Sequence, residues 1–214
     1  MEIKYFIRTT GERVLNESYE QIPYTKLIDK DHRYVEFFIE CLEYFSQWNS
    51  VFIEDDCILC RDFKNRIEEA IADHPNEIIN FFNEPLDLYF KTKESNDFRM
   101  NQCTYYPKEL TKKLAKEMRK VLSQFPDYPT DWIEDIALKN LNQSHIKYRP
   151  TLVQHIANSS ILGHKNFMKW RATFFIDYYD DLNIDYKKGY LEWSEEKRLH
   201  LYAIQKIKEL NKNL

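Results

Sequence analysis

The sequence predicts an α/β fold, with one domain whose mostly parallel central sheet is flanked by helices. The chain has 214 residues, enough for one domain with a complete core, and its 43% hydrophobic content is ordinary for a globular protein. A strand, an amphipathic helix and a second strand follow one another over residues 24–53, which is the pattern of a βαβ unit. The second of these strands ends in Glu54-Asp55-Asp56. Open α/β sheets bind ligands at the carboxyl ends of their strands.

The first part of the chain supplies three predicted strands. Residues 2–9 alternate apolar and polar side chains and reach Thr9-Thr10-Gly11, which predicts a first strand followed by a turn. Tyr24–Ile28 is predicted to be a short second strand that ends at Asp29. An apolar stripe over residues 33–47 predicts a helix. This helix leads into the third strand, which carries the acidic residues.

The rest of the chain continues the alternation of strands and helices. The polar segment 83–100, which carries Pro85, is predicted to be a mobile loop. Ser194 is predicted to cap the last helix, with Glu195 and Glu196 against the positive end of its dipole. Further strands are predicted at 77–82, 102–106 and 146–149, and further helices at 63–72, from 107, from 130 and at 194–210.

Composition and charge bound the class of protein. The formal net charge is −4, which argues against binding nucleic acids or membranes through a basic surface, although it leaves room for a local basic patch. No apolar run reaches the roughly 18 residues that a membrane-spanning helix needs, and the first residues lack a signal-peptide pattern. We therefore expect a soluble cytoplasmic protein. Cys57 and Cys60 form one C-x-x-C pair with no second pair to complete a zinc site, so we expect reduced, structural thiols.

The chemistry of the site is predicted from Glu54-Asp55-Asp56. Closely spaced carboxylates raise one another's pKa unless a cation lies against them. Their oxygen atoms suit Mg²⁺ or Mn²⁺, which take one or two protein carboxylates and complete their shell with water and phosphate oxygens. The triplet therefore predicts a metal-bound nucleotide-diphosphate site. The alternative is a solvated acidic turn after a strand.

Other residues are candidates for binding the nucleotide. Arg8 and Thr9 end the first strand, and they lie beside the acidic triplet if the first and third strands are neighbours in a parallel sheet. Asp29, at the end of the second strand, could receive ribose hydroxyls, although Asp beside Lys is also ordinary turn composition. Within the triplet, Asp55 is assigned to nucleotide contacts.

Three further features have a structural interpretation beside a functional one. The helix after Pro107 carries basic side chains from Lys108 to Lys120, which could grip phosphates, but a charged helix face is usually solvated. Asp131 is a candidate catalytic residue, while Thr130 or Asp131 is also expected to cap a helix. His155 is a candidate ligand, but a single histidine is more often structural.

These features together resemble the catalytic core of the N-acetylglucosaminyltransferase IV family and related glycosyltransferases of the GT-A type. Residues 51–59 are similar to the acidic metal motif of the family. Pro129-Thr130-Asp131-Trp132-Ile133 resembles its Pro-x-Asp-Trp-Leu segment. Pro150-Thr151-Leu152-Val153-Gln154-His155, followed by Ser159-Ser160, resembles its Pro-Ser-Leu-x-Gln-His…Ser-Ser-Leu segment. The last match is the most specific.

The resemblance implies how the chain is divided. It implies one GT-A-like, Rossmann-like domain over residues 1–214. Residues 1–60 would form the nucleotide-binding part, which ends in the acidic motif, and residues 101–165 would form the acceptor and catalytic part. A C-terminal helix would lie within 190–214.

The resemblance also implies the roles of individual residues. A divalent cation, Mn²⁺ or Mg²⁺, would be held against the diphosphate of a UDP-linked sugar by Asp56 as the leading ligand, with Glu54 or Asp55 assisting. His155 would be a second contact to the metal or to the phosphate. Asp131 would be the base of an inverting transfer to an acceptor hydroxyl. The expected acceptor is a glycan, with a hydroxymethylated DNA base as the second choice. A non-catalytic nucleotide-binding or metal-binding module of the same fold is the alternative, because a fold does not guarantee a function.

Overall fold

A computed structural model describes residues 1–82, 92–156, 172, 174–188 and 190–210. Within these residues, nine β-strands and six α-helices follow one another. The strands are β1 (Ile3–Thr9), β2 (Tyr24–Ile28), β3 (Asn49–Glu54), β4 (Cys57–Leu59), β5 (Ile78–Asn80), β6 (Lys93–Ser95), β7 (Cys103–Tyr106), β8 (His145–Lys147) and β9 (Val153–His155). The helices are α1 (Val35–Tyr44), α2 (Phe63–Asp73), α3 (Lys108–Gln124), α4 (Thr130–Asn140), α5 (Ile176–Leu182) and α6 (Trp193–Leu210).

Seven strands form the central sheet, in the order β2-β1-β3-β7-β5-β8-β6. Three neighbouring pairs are parallel, namely β1 with β2, β1 with β3, and β5 with β8. The other three pairs, β3 with β7, β5 with β7, and β6 with β8, are antiparallel. The predicted α/β class, a Rossmann-like domain with a helix-flanked sheet, is therefore confirmed, and the sheet is mixed.

Side chains that alternate along the strands divide the core into two layers. On one face of the sheet, Phe6 and Phe52 belong to a buried cluster with residues of α1, α3 and α4. On the other face, Ile7 and Val51 belong to a cluster with residues of α2, α5 and α6. Because helices cover both faces, a ligand reaches the sheet most readily at the ends of its strands.

The chain changes direction across the sheet at β1. It passes from β1 to β2 on one side, and then through α1 to β3 on the other side of β1. This arrangement is a topological switch point, and α/β proteins bind ligands in the crevice that opens there, outside the carboxyl ends of the strands. Thr10-Gly11 follows β1, and Asp55-Asp56 follows β3. The fold therefore places the acidic motif at the position where a ligand crevice is expected.

A small second sheet is formed by β4 and β9, which are antiparallel. In this sheet Cys57 lies opposite His155. Because β4 begins soon after the last residue of β3, the pairing carries the distant β9 segment back to the acidic motif.

Most predicted strands and helices are confirmed with small shifts at their ends, and β2 has the predicted bounds. The exceptions have simple causes. Strand β6 lies inside the segment 83–100 that was predicted to be a loop. It was missed because its polar residues show no alternation with apolar ones. Residues 83–91 of that segment are outside the described part. Helix α5 has only 7 residues, too few to show an apolar stripe. Ser194 is the second residue of α6, so its predicted role as the cap is wrong.

None of the helices within the described residues is both long enough and apolar enough to cross a membrane.

Candidate functional site

The parallel pairing of β1 and β3 brings the end of the first strand against the acidic motif. Arg8 is the direct partner of Glu54 in this pairing, and the N–H of Asp55 donates to the carbonyl of Arg8 at 3.1 Å. On the other side of β3, the N–H of Glu54 donates to the carbonyl of Gln102 at 2.9 Å. The acidic motif is therefore fixed at the carboxyl edge of β3 from both sides.

The alternation of the strand sends neighbouring carboxylates to different faces of the sheet. Glu54 Oε1 accepts a hydrogen bond of 3.2 Å from Arg8, on the face that carries α1. Asp55 Oδ2 accepts one of 2.5 Å from Thr9 Oγ1, on the opposite face. Burial and the charges of Asp56 and Asp55 raise the pKa of Glu54 to about 7, against the opposing effect of Arg8. Glu54 and Asp55 therefore lie on different faces of the sheet, while the pKa of Glu54 still responds to the charge of Asp56.

Arg13 supplies positive charge to the remaining pair of carboxylates. Its Nη1 lies 3.0 Å from Asp55 Oδ1 and 2.7 Å from Asp56 Oδ2. The same Asp56 oxygen lies 3.2 Å from His155 Nε2. Burial opposes the ionisation of Asp56, but the hydrogen bond and charge of His155, followed by those of Arg13, lower the pKa of Asp56. Asp56 is therefore an anion held between a guanidinium and an imidazole.

The small sheet is what brings His155 to the acidic motif. Next to the pairing of β4 with β9, the N–H of Ile156 donates to the carbonyl of Asp56 at 2.8 Å. Gln154 has a structural task, because its side chain donates to the carbonyl of Ala172 at 2.9 Å and accepts from the N–H of the same residue at 2.7 Å. Ser159-Ser160, the last part of the segment that resembles the glycosyltransferase family, lies outside the described residues.

A buried tyrosine holds the backbone of the acidic turn. The hydroxyl of Tyr19 donates to the carbonyl of Glu54 and accepts a hydrogen bond of 3.2 Å from the N–H of Cys57. Tyr19 is only 1% exposed. Its hydroxyl therefore bridges the end of β3 and the start of β4, and the turn that carries Asp55 and Asp56 lies between these two strands.

Arg8 belongs to a polar network on the α1 side of the sheet. Its guanidinium lies 4.3 Å from the centre of the Phe38 ring and donates to the carbonyl of Asn101 at 2.5 Å. The side chain of Asn101 donates to Glu134 at 2.6 Å, and the hydroxyl of Tyr106 donates to Glu134 at 2.7 Å. Glu134 is completely buried, and this burial raises its pKa to about 8.

Glu134 is expected to make the stability of the protein depend on pH. Because its pKa is higher in the folded state than its ordinary value of 4.5, folding favours the protonated acid, and the free energy of unfolding falls as pH rises from about 4.5 to about 8. We expect Glu134→Gln, which has no charge to bury, to melt at a higher temperature than the wild type above pH 8 and at a similar temperature near about pH 5. Thermal unfolding followed by circular dichroism measures this. Glu54 titrates in both proteins, so its effect cancels in the comparison. Parallel melting curves across the whole pH range would contradict a raised pKa at Glu134.

Asp131 lies at the start of α4. The helix begins at Thr130, directly after Pro129, so the expectation that Thr130 or Asp131 caps it is wrong. The Asp131 carboxylate accepts hydrogen bonds from the backbone of Met100 and of Trp132. Burial raises its pKa in spite of these bonds. A partly buried carboxylate with a raised pKa is a stronger base than an ordinary surface aspartate.

A short chain of contacts joins Asp131 to the acidic motif. Met100, which contacts Asp131, is followed by Asn101, and the carbonyl of Asn101 binds Arg8 at the end of β1. Asp131 therefore lies at the same edge of the sheet as the acidic motif. It approaches that edge from the α4 side, whereas Asp56 faces the small sheet.

The four side chains predicted to bind a nucleotide are all engaged within the protein. Arg8 binds Glu54, and Thr9 binds Asp55. Asp29 is 5% exposed and accepts a hydrogen bond of 2.7 Å from the N–H of Tyr34, just before α1. Each of these side chains is therefore already engaged by at least one partner within the protein.

Four buried polar atoms at this edge have no hydrogen-bond partner among the described residues. They are Arg8 Nε, Thr10 Oγ1, Asp56 Oδ1 and Gln102 Oε1. In native proteins such atoms are normally satisfied by protein, water or a bound molecule. Thr10 follows β1 and Asp56 follows β3, so each of the two strands that form the switch point is followed by one buried oxygen without a partner among the described residues.

The turn after β1 requires a glycine. Gly11 has a φ of 86°, and a Cβ at this position would lie 3.3 Å from Ile28 Cγ2. The N–H of Gly11 donates to Thr9 Oγ1 at 2.9 Å. The positive φ and this hydrogen bond together close a tight turn directly after β1.

The carboxylate oxygens that follow β3 are of the type that binds a divalent cation together with a phosphate. Within the described part of the chain, no group of three or more His, Cys, Asp or Glu side chains converges in a way that could hold a metal ion by itself. Magnesium-type ions need only one or two carboxylates when a nucleotide supplies the other oxygens. Asp55 and Asp56 are carboxylates of this kind, with His155 beside them, and a cation bound to this pair would displace Arg13.

The basic helix α3 begins at the opposite end of the strands from the acidic motif, where β3 starts. The N–H of Lys108 donates to the side chain of Asn49, the first residue of β3, at 3.1 Å. Farther along α3, Arg119 forms a two-pronged ion pair with Glu43 of α1. The lysine-rich first half of α3 is therefore far from the acidic motif, which ends β3.

Sequence reasoning missed Arg13, Tyr19 and Glu134. Arg13 had a detectable signal, because it is the first cation after the Thr9-Thr10-Gly11 turn and precedes a cluster of acids that needs one. Tyr19 and Glu134 had none, because their roles depend on contacts with residues 54 and 106 that only the folded chain reveals.

Comparisons with known proteins identify no family. No protein-family model matches this chain, and no curated protein matches it. Among solved structures, the chain is similar to one titled "Crystal Structure of A197 from STIV", with a TM-score of 0.47 and 12% identity. The match covers 74% of this chain and 87% of that chain. A likeness of this degree carries no argument about function.

Proposed function

We propose that this protein is a metal-dependent, inverting glycosyltransferase that moves a sugar from a nucleotide sugar to a hydroxyl of a glycan. The resemblance to the N-acetylglucosaminyltransferase IV family favours a UDP-linked donor. One observation carries the proposal. At the switch point of the sheet, Arg13 contacts both Asp55 and Asp56, His155 contacts Asp56, and buried oxygens of Thr10 and Asp56 have no hydrogen-bond partner among the described residues. This combination of anion-binding and cation-binding groups is what a sugar nucleotide with its metal ion requires.

The donor would bind across the ends of β1 and β3. The turn at Gly11 would let the backbone approach the diphosphate, and Arg13, released from Asp55 and Asp56 by a bound cation, would pair with phosphate oxygens as guanidinium groups commonly do. A bound Mn²⁺ or Mg²⁺ would offset the negative charge that grows on the departing diphosphate. Asp56 and Asp55 are the residues that would hold this ion, with His155 beside them.

The acceptor would bind on the α4 side of the crevice. In the proposed step, the acceptor oxygen forms a bond to the anomeric carbon while the bond from that carbon to the diphosphate oxygen breaks. The proton of the acceptor hydroxyl passes to Asp131. A one-step inversion requires a base separate from the carboxylates that serve the donor, and Asp131 approaches the edge from a different element. Its raised pKa favours proton uptake.

A nucleotide-binding module without transfer activity is the second candidate. It is favoured by the ion pairs of Arg13 with Asp55 and Asp56, because they neutralise the acidic pair within the protein itself. A DNA acceptor gains no support from α3, since its lysine-rich half begins at the far edge of the sheet.

Release of UDP from a panel of UDP-sugars distinguishes the two candidates. With Mn²⁺ present we expect UDP release, its loss on adding EDTA, and its recovery when Mn²⁺ is restored in excess. Tight binding of UDP with no turnover of any sugar in the panel would support the module. The absence of both UDP binding and sugar turnover would contradict both candidates.

A further inference from the structure

A residue in the left-handed backbone conformation lies just before β7. Met100 has a φ of 64°, and its side chain is buried. Outside glycine, positive φ values are uncommon and favour Asn, Asp and His over a long side chain such as methionine. Residues held in this conformation persist where their surroundings fix them, and they cluster at functional sites. The contacts of the Met100 backbone therefore show what the conformation serves.

Asn80 is the side chain that holds the backbone at Met100. It is the last residue of β5 and is fully buried. Its Nδ2 donates to the carbonyl of Arg99 at 2.8 Å and to the carbonyl of Met100 at 3.1 Å. Its Oδ1 accepts from the N–H of Phe82 at 2.9 Å. A primary amide has two N–H donors, and the turn at Met100 brings two successive carbonyls within reach of this one.

The strand that carries Asn80 is rigid. In the central sheet, Asn80 is paired with Thr104 of β7 on one side and with Lys147 of β8 on the other. Side chains that project from strands are placed more precisely than side chains on loops. The central sheet, through the amide of Asn80, therefore fixes the conformation at Met100.

The segment that Asn80 holds reaches both parts of the candidate site. The backbone N–H of Met100 donates to the carboxylate of Asp131. Two residues farther on, the carbonyl of Gln102 accepts from the N–H of Glu54 at 2.9 Å. One stretch of backbone thus joins Asp131 to the acidic motif, and its turn depends on Asn80.

We propose that Asn80 is a positioning residue for the transfer reaction, because it sets the Met100 N–H that holds the carboxylate of Asp131 in the orientation of a base. This inference rests on the proposed function and deepens it. Asn80 acts through the backbone of Met100 and contacts neither the donor nor the acceptor. A general base is effective only when its oxygen is correctly placed, and a displacement of about 1 Å can cost about 10²-fold in rate.

NMR of the full chain measures this link without any turnover. In the wild type, the Met100 amide proton should shift as the Asp131 carboxylate ionises, and Asp131→Asn should remove that shift. In Asn80→Ser, whose shorter side chain has a single hydroxyl donor, the shift should fall by about twofold or more, because a misaligned hydrogen bond is weak. Asn49→Ser is the matched control and should keep the full shift. Asn49 begins β3 at the opposite end of that strand, where its side chain accepts from the N–H of Lys108.

Transfer kinetics give a second measurement. Asn80→Ser should lower kcat by about 10- to 100-fold and leave UDP affinity within about twofold, since the acidic motif is unchanged. The fall of kcat on acidification should move to higher pH, because the ionised carboxylate of Asp131 loses a hydrogen-bond donor. Arg99 and Glu134, the other charged groups that act on Asp131, are the same in this variant.

The outcomes separate this inference from the proposed function. A folded Asn80→Ser protein that keeps the full Met100 shift, or that loses the shift but transfers at the wild-type kcat, would overturn the inference and leave the proposed function intact. Loss of the fold in both Asn80→Ser and Asn80→Asp would make Asn80 a residue of the core alone and would also overturn it. A Met100 shift that depends on Asn80, in a protein that releases no UDP from any UDP-sugar, would contradict the proposed function, and the role of Asn80 in transfer would fall with it.

Discussion

Asp56→Asn is expected to abolish metal-dependent transfer, with a loss of about 10³-fold or more in kcat/KM. The reason is that Asp56 has one oxygen bound by both Arg13 and His155 and a second, buried oxygen without a partner among the described residues. Loss of its charge removes the proposed ligand of a cation that would stabilise the charge on the leaving diphosphate by several kcal/mol in the transition state. A loss of about 4 kcal/mol of this stabilisation corresponds to roughly 10³-fold in rate. The measurement is UDP release at saturating Mn²⁺.

Asp73→Asn is the control for this variant. Asp73 is an exposed aspartate at the end of α2, so the change removes the same charge from a different element, and activity should remain. The Asp56→Asn protein should keep its circular dichroism spectrum, because Arg13 retains its contact with Asp55. A folded Asp56→Asn protein with transfer near the wild-type rate would remove Asp56 from the mechanism.

Asp131→Asn should retain donor binding and lose transfer by about 10²- to 10⁴-fold, the range that a positioned general base contributes. Asparagine keeps an oxygen that can accept from the backbone of Met100 or Trp132, so the start of α4 should survive. Asparagine cannot take up the acceptor proton. The measurements are UDP affinity by calorimetry and transfer rate with a saturating acceptor.

The pH profile adds a second readout for Asp131. Burial raises the pKa of this carboxyl, so wild-type transfer should fall on acidification at a higher pH than an ordinary aspartate would give, because only the ionised form is a base. An Asp131→Asn protein that loses UDP affinity, or whose melting temperature collapses, would instead assign Asp131 a structural role.

The central part of the fold was predictable because burial leaves a direct pattern. The run Val51-Phe52-Ile53 indicated a strand buried on both faces, and the apolar stripe before it indicated the crossover helix α1. Such runs mark the interior wherever helices cover both sides of a sheet. Strand β6 and helix α5 lacked comparable patterns and could be located only from the folded chain.

The site was predictable in its position but only partly in its contacts. Glu54-Asp55-Asp56 at the end of a strand indicated the sheet edge, and the pairing of β4 with β9 does bring His155 to Asp56. The sequence gives no register between distant strands, and register decides that Glu54 faces Arg8 while Asp55 faces Thr9. For the same reason the triplet seemed to be one cluster of charge, whereas its members lie on two faces.

The proposed metal site requires the metal ion to replace Arg13 at the carboxylates, and the sequence did not reveal the contact of Arg13 with them. Carboxylates at a strand end need a positive partner, and in the folded chain Arg13 fills that need. Binding of a nucleotide with its metal ion would then move Arg13 from the carboxylates to the phosphates. Arg13 would thus respond both to the metal ion, which would replace it at the carboxylates, and to the phosphates, which it would then contact.

The most direct test of the account is the position of Mn²⁺ and UDP in crystals of the protein grown with both. We expect an anomalous manganese peak at the carboxylate of Asp56, the diphosphate beside it between the ends of β1 and β3, and Arg13 turned from Asp56 toward the phosphates. UDP bound elsewhere on the molecule, or a manganese peak remote from Asp56 with Arg13 still paired to it, would contradict the account.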